Sequence, residues 1–309
     1  FMAHAAADDG AARYRAAIPR LPRGLFSLHA RYGRLPWPQV VAPAENLARF
    51  GHAVSQAFAR DLAADGGVLT NDRTALTAYM TPRRQILQAG DVFKQIDLAT
   101  MLGRLRARGP GEPYAGYFGN ELQDSIAAAG SAITAAEIRA AVPRWADAAI
   151  VDAGKFRLNA LPADVGAGDF AAAYAQADRP STPGRKVLSG STGFVVADGR
   201  GIVVACGLSM GRAFGLGIMP RGTGFLLAPA PAPGSQTVGA ARLAPIIALR
   251  YPSGELLFAV AAAGAGAVTD AATVTRELID AAGTLTATTG SDNFAVGQTS
   301  LVNLLVCGA

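Results

Sequence analysis

The chain has 309 residues, half of them apolar and only 17% charged, which is enough to bury a large core and excludes a disordered chain. Its net charge of +5 comes from arginine, since lysine occurs only at 94, 155 and 186; the arginines are scattered in sequence without interleaved aromatics, which argues against a nucleic-acid module. His4, His29 and His52 stand apart from one another and from Cys206 and Cys307, so no metal-ligand spacing and no disulfide framework emerges, although one bridge stays open, and no cofactor is expected.

The sequence opens at Phe1 without an initiator Met or a signal-like segment, so a start in mid-domain is expected, and bacterial periplasm and cytoplasm both stay open. The first half reads as mostly helical. Over residues 38–50 the apolar Val40, Val41, Leu47 and Phe50 recur at roughly helical spacing, and Val54, Phe58 and Leu62 repeat the pattern, which predicts two core-facing helices. Thr134 followed by Glu137 predicts a capping box, with Pro143 ending the helix it starts. A polar, proline-rich stretch at 178–186 reads as a linker.

The second half reads as strands. Gly190-Ser191-Thr192-Gly193-Phe194-Val195-Val196 leads through an Asp198-Gly199-Arg200-Gly201 turn into a return strand that reaches Ser209, a natural antiparallel hairpin. Further strands are expected at 246–251 and 256–261, a helix over 269–281 and a last strand near 300–306. The longest apolar stretches, 202–219 and 256–268, are interrupted by Arg212 or too short to span a bilayer, so no membrane segment is expected. Helices and strands in separate runs argue for an α+β layered architecture.

The hairpin also carries the chemistry. It sets a small hydroxyl residue at the mouth of an apolar strand and a second one, Ser209, on the paired strand. A hydrolase that cuts itself between Gly190 and Ser191, and then uses the freed Ser191 amine as the base for its own hydroxyl, is built in this way. Thr192 is the neighbouring alternative nucleophile. The plainer readings are a serine in a glycine-rich turn, a small residue at a strand end, and packing glycines at Gly264 and Gly266.

Three stretches follow in order: His29 to Gly33 with Leu35-Pro36-Trp37, Val40 to Ala44 and Leu47-Ala48-Arg49; then Gly90-Asp91, Gln95, Asp97-Leu98-Ala99, Gly109-Pro110 and Tyr114-Ala115-Gly116, with Ile133-Thr134; and then the hairpin from Ser191 through Phe214-Gly215. In that order they resemble the gamma-glutamyltranspeptidase family of N-terminal nucleophile hydrolases. The resemblance implies a four-layer αββα sandwich, residues 1–190 as a large-subunit-like region, mostly helical with part of the sheets, and 191–309 as a small-subunit-like region with the central strands. It puts the nucleophile at Ser191, its supporting hydroxyl at Ser209, the anchor for a substrate carboxylate at Arg15, and the oxyanion-hole turn at Gly264-Ala265. It implies an amide hydrolase or acyl transferase acting on a small amide substrate with a carboxylate, with the cleaved halves forming a heterodimer, or a homodimer.

The sequence departs from the family pattern at identifiable places. Gly211 stands where the family has Asn and Gly193 where it has His. Residues 224–233 contain no carboxylate to meet a substrate ammonium group. The stretch 161–189 is short for the family, so the chain reads as an abridged member. These departures keep open a second expectation, an unprocessed and catalytically inactive member with a binding or structural role.

Overall fold

The structure is a computed structural model that describes residues 16–131, 133–143, 145–162, 169–177, 190–199, 202–230, 243–264, 266–284, 294–299 and 302–308. The described residues form two compact units, one drawn from 1–145 with 213–234 and the other from 146–212 with 235–309.

The first unit is helical. Helices α1 (Leu21–Tyr32) and α2 (Trp37–Phe50) each open with a proline in the first turn, where the missing amide has no intrahelical partner to lose. Strand β1 (His52–Ala53) leads to α3 (Gln56–Asp65), capped by the Ser55 hydroxyl, which accepts the Phe58 amide at 3.1 Å. Asp72 caps α4 (Arg73–Ala78) by accepting the Thr74 amide at 2.7 Å, and its second oxygen accepts the Met219 amide at 3.0 Å, which ties the cap to the returning segment 213–234. Strand β2 (Val92–Phe93) pairs antiparallel with β1 and is followed by α5 (Ile96–Arg108), α6 (Gly116–Ala128) and α7 (Ala135–Ala140). At α7 the expected capping box is present, with the Thr134 amide donating to the Glu137 carboxylate at 2.7 Å and the Glu137 amide to the Thr134 hydroxyl at 3.2 Å.

Three apolar clusters lie among the described residues of this unit. Val54, Leu62, Leu69, Leu87, Phe93 and Met219 form one, with Phe58 packed against it; Tyr114, Leu122, Ile126, Ile138 and Leu227 belong to a second, and Met101, Leu105 and Phe118 form the third. Val54, Phe58 and Leu62 thus face the core as expected. Helix α2 does not follow its expected face. Val41, Glu45 and Ala48 form its buried stripe, whereas Val40, Leu47 and Phe50 are 46%, 55% and 68% exposed. A glutamate can hold a buried position there because two guanidinium groups reach it: Arg106 of α5 donates to one carboxylate oxygen at 2.7 Å and Arg49 to the other at 2.8 Å.

The second unit is layered. Strands β3 (Ala149–Ala153) and β4 (Phe156–Ala160) form a hairpin, followed by α8 (Phe170–Ala175) and a second hairpin of β5 (Ser191–Ala197) and β6 (Val203–Ser209). Then come β7 (Leu243–Arg250), β8 (Leu256–Ala263), α9 (Ala267–Thr284), β9 (Phe294–Thr299) and β10 (Val302–Gly308). Among the described residues six strands make one antiparallel sheet in the order β3-β4-β7-β8-β10-β9, while β5 and β6 pair only with each other.

Strand β8 shows how the layers are held. Its alternate residues Phe258, Val260 and Ala262 face a core shared with Ile246 of β7, Phe170 and Tyr174 of α8, and Ala271 and Ile279 of α9. The residues between them, Ala259 and Ala261, face Val195, Val203 and Ala205 of the β5–β6 hairpin. A strand covered on both faces must be apolar at every position, and β8 reads Leu-Leu-Phe-Ala-Val-Ala-Ala-Ala. Helices, six-stranded sheet and hairpin are therefore three successive layers of this unit.

Two stability predictions follow from these contacts. The Arg106 and then the Arg49 hydrogen bond hold the Glu45 carboxyl below the usual glutamate range. A depressed folded-state pKa contributes stability above the unfolded value that is lost as pH falls through the folded one. Glu45→Gln should therefore cost about 1–2 kcal/mol near neutral pH, and in chemical denaturation the difference from the parent chain should shrink as pH falls below the ordinary glutamate range. In α9, the Thr275 hydroxyl is fully buried with no hydrogen-bond partner among the described residues. Thr275→Val keeps the shape and removes the desolvated hydroxyl, so it should raise stability by about 1 kcal/mol, seen as a higher melting temperature.

Candidate active site

The hairpin register puts Ser191, the first residue of β5, directly opposite Ser209, the last residue of β6. Their hydroxyl oxygens lie 2.8 Å apart, a hydrogen bond in which either can donate. The Ser209 oxygen also accepts the Gly211 amide at 2.9 Å, which favours Ser209 donating its own proton toward Ser191. Just before Ser191, the Gly190 carbonyl accepts the Met210 amide at 2.8 Å. Gly190 has φ +61, left-handed backbone that glycine adopts without a Cβ penalty, so the chain enters β5 through a sharp turn at the bond preceding Ser191.

Side chains alternate across a strand, so Ser191, Gly193 and Val195 share one face of the hairpin with Ser209, Gly207 and Ala205 opposite them. That face lies toward the six-stranded sheet, as the Val195 and Ala205 contacts with Ala259 and Ala261 show. Thr192 is on the other face and is exposed, opposite Leu208. Among the two adjacent hydroxyl residues named from sequence, Ser191 is thus the one paired with Ser209.

Gly193 is where the hairpin comes closest to the sheet. A Cβ built there would sit 2.5 Å from the Ala261 carbonyl oxygen, well inside contact distance, and across the hairpin a Cβ at Gly207 would press on the Leu243 side chain at 3.1 Å. No histidine fits at 193 without separating the layers. Glycine inside a strand pattern signals such close backbone approach, and that signal was present in the sequence at both positions.

The remaining expected positions are spread differently. Gly264 follows β8 with φ +118, and its carbonyl accepts the Ala267 amide at 3.1 Å at the entry to α9. Arg15 and Ala265 lie outside the described residues. Residues 224–230 belong to the first unit, where Leu227 is buried and the Ala228 carbonyl accepts the Ala17 amide at 2.8 Å; residues 231–233 lie outside the described residues. Cys206 is half-buried opposite Phe194, and burial pushes its thiol pKa up, away from thiolate character. Sequence reasoning passed over the Met210 amide, which no motif marks because its role comes only from the register of the hairpin.

Among the described residues no group of three or more His, Cys, Asp or Glu is placed to hold a metal ion, and no helix is long and apolar enough to cross a membrane.

Comparison with known proteins gives consistent results. The family model for Gamma-glutamyltranspeptidase matches residues 4–173, ending before Ser191. The chain is similar to Glutathione hydrolase 3 of Arabidopsis thaliana, 29% identical over 145 residues, which is 47% of this chain and 23% of that protein. It is similar to the Acylase ACY 1 proenzyme of Pseudomonas sp. (strain SE83), 34% identical over 122 residues, 40% of this chain and 22% of that protein. The chain therefore spans about a quarter of the length of these relatives. Among solved structures, cephalosporin acylase from Bacillus halodurans superposes with a TM-score of 0.70 over 90% of this chain and 65% of that chain at 17% identity, which shows a shared α+β fold of the N-terminal nucleophile hydrolase type.

The close approach at Gly193 can be measured. Gly193→Ala should cost about 2–3 kcal/mol, whereas Gly199→Ala, in the hairpin turn with nothing within 4 Å of an added Cβ, should stay within about 0.5 kcal/mol of the parent in the same denaturation experiment.

Proposed function

The chain belongs to the gamma-glutamyltranspeptidase family, and from that premise we propose that it is an amide hydrolase or acyl transferase whose nucleophile is Ser191, exposed by cleavage of the chain's own Gly190–Ser191 bond. The observation that carries this reading is the 2.8 Å contact between the Ser191 and Ser209 hydroxyls at a strand entry where the preceding carbonyl already receives an amide hydrogen bond.

In the intact chain the Ser191 oxygen attacks the Gly190 carbonyl carbon and the Gly190–Ser191 C–N bond breaks. The serine oxygen is then esterified and its nitrogen is left as a free amine. The Met210 amide, already on the Gly190 oxygen, meets the negative charge that develops there. Water hydrolyses the ester and separates the chain into residues 1–190 and 191–309, the proposed large-subunit-like and small-subunit-like parts of a heterodimer. In turnover the freed amine of Ser191 takes the proton from its hydroxyl as that oxygen, oriented by Ser209, attacks a substrate amide; the amide C–N bond breaks, the leaving amine carries off that proton, and water or an acceptor amine then removes the acyl group from the Ser191 oxygen. Arg15 is the proposed anchor for a substrate carboxylate, and amides at Gly264 and Ala265 the proposed oxyanion donors.

The relatives point to two substrate classes, one named for glutathione and the other an acylase. Residues 224–233 carry no acid that would meet an α-ammonium group, so the reading favours an acyl group bearing a carboxylate but no free α-amine.

A second reading has its own observation. Gly193 has no room for the histidine that the family pattern puts there, which fits an unprocessed member kept for binding. The two readings separate by mass spectrometry of the purified chain. Two fragments meeting at Gly190 and Ser191, and a single intact mass for Ser191→Ala, are expected; an intact parent chain after long incubation sinks the nucleophile assignment. In the processed protein Ser209→Ala should slow acyl transfer about tenfold, the effect of one hydrogen bond of roughly 1.4 kcal/mol, with activity measured on dicarboxylic acyl amides beside gamma-glutamyl anilides.

A further inference from the structure

Scattered as they are in sequence, four cations of the first unit converge. Arg73 at the start of α4, Arg83 and Arg84 in the turn after it, and Lys94 just past β2 line one groove of about 1130 Å³. Asp91 is the single acid among its lining residues, and it accepts the Gln88 amide at 2.8 Å. None of the four cations makes an ion pair or a side-chain hydrogen bond among the described residues. Between them the lining is mixed: Leu76 and Met80 are half-buried and Val92 is 60% exposed, beside the polar Thr77, Thr81 and Gln85.

The turn that presents two of these cations is unusual in its choice of residue. The Thr81 amide donates to the Gln85 carbonyl at 2.7 Å and the Arg84 amide to the Thr81 carbonyl at 2.8 Å, with Pro82 at the favoured second position. Arg84 closes the turn with φ +59. Glycine fills such a left-handed position at no steric cost, and tight three-residue hairpin loops favour it there. The charge is thus held at the groove against the backbone's own preference, as happens where a residue serves a ligand more than the fold.

We propose that this groove docks an extended acidic segment of a partner protein, its carboxylates pairing with Arg73, Arg83, Arg84 and Lys94 and its alternate apolar side chains seating on Leu76, Met80 and Val92. In an extended chain successive side chains point to opposite faces and alternate residues line one face, so carboxylates and apolar groups reach different parts of one groove. The volume exceeds the roughly 300–1,000 Å³ usual for small-molecule sites. Leu76, Met80 and Val92 offer nothing to a phosphodiester backbone, and Phe93, the aromatic ring in the lining, is buried and presents no face for a base to stack on.

The test is fluorescence anisotropy with the full 309-residue chain and a labelled peptide of about eight residues alternating glutamate and leucine, beside the same peptide with glutamine for glutamate. The glutamate peptide should bind and the glutamine peptide should not, and affinity should drop about tenfold between roughly 50 and 300 mM salt. Arg83→Ser with Arg84→Gly should weaken binding at least about tenfold. Arg84→Gly suits the turn, so its melting temperature should equal or exceed that of the parent, which separates lost binding from lost folding. The proposal is overturned by no binding, by equal binding of both peptides, or by unchanged affinity in the double variant. It is overturned equally if an oligonucleotide or an anionic vesicle binds more tightly than the peptide, or if those arginine variants abolish a self-association of this chain. None of these outcomes depends on cleavage at Ser191.

Discussion

How closely a two-stranded ribbon can lie on a sheet decides the geometry of the candidate site. Packed sheets ordinarily stand about 10 Å apart because side chains fill the space between them. Here Gly193 on the ribbon meets the Ala261 backbone of β8, and Gly207 beside it meets the Leu243 side chain of β7, so a glycine is needed on each strand at this end of the contact. Larger residues, Val195 and Val203, occupy the other end. Ser191 is two residues from Gly193 on the same face, and so that close contact sets the depth at which its hydroxyl sits. The same requirement accounts for Ala259 and Ala261 of β8, both fully buried on the ribbon side.

Within that frame the hydroxyl pair is polarised in one direction. The Gly211 amide occupies an acceptor site on Ser209, leaving the Ser209 proton for Ser191. The Gly190 carbonyl, next to Ser191 in the chain, has its own donor in Met210. Both donors are backbone amides, which survive substitution of side chains, and so this arrangement of the site needs no side chain at Gly193 or Gly211. The family match ends at residue 173, so the hydroxyl geometry is an observation separate from the family assignment.

What could be read from the sequence differs by element for physical reasons. The β5–β6 hairpin was legible because alternation, a glycine-containing turn and β-branched residues all agree locally, and its register then pairs Ser191 with Ser209. The capping box at Thr134 was legible because it is completed within four residues. The exposed face of α2 was misread because Val40, Leu47 and Phe50 satisfy a helical period as well as Val41, Glu45 and Ala48 do, and the partner that lets Glu45 sit inward is the Arg106 guanidinium, 61 residues away. The β3–β4 hairpin was absorbed into a mostly helical half, although Ala149 to Ala160 alternates around Gly154-Lys155 and carries the signal.

Sequence by itself determined the α+β class, the hairpin with a hydroxyl at each end, the local caps and the resemblance to the family that the chain belongs to, since these depend on neighbours along the chain or on ordered motifs. Tertiary structure alone decided which face of the hairpin is inward, that Gly193 is a packing necessity, which side of α2 is buried, and that four cations spread over residues 73–94 share one groove. Those outcomes turn on which surfaces meet when layers pack, and close packing ties together residues that no local pattern connects.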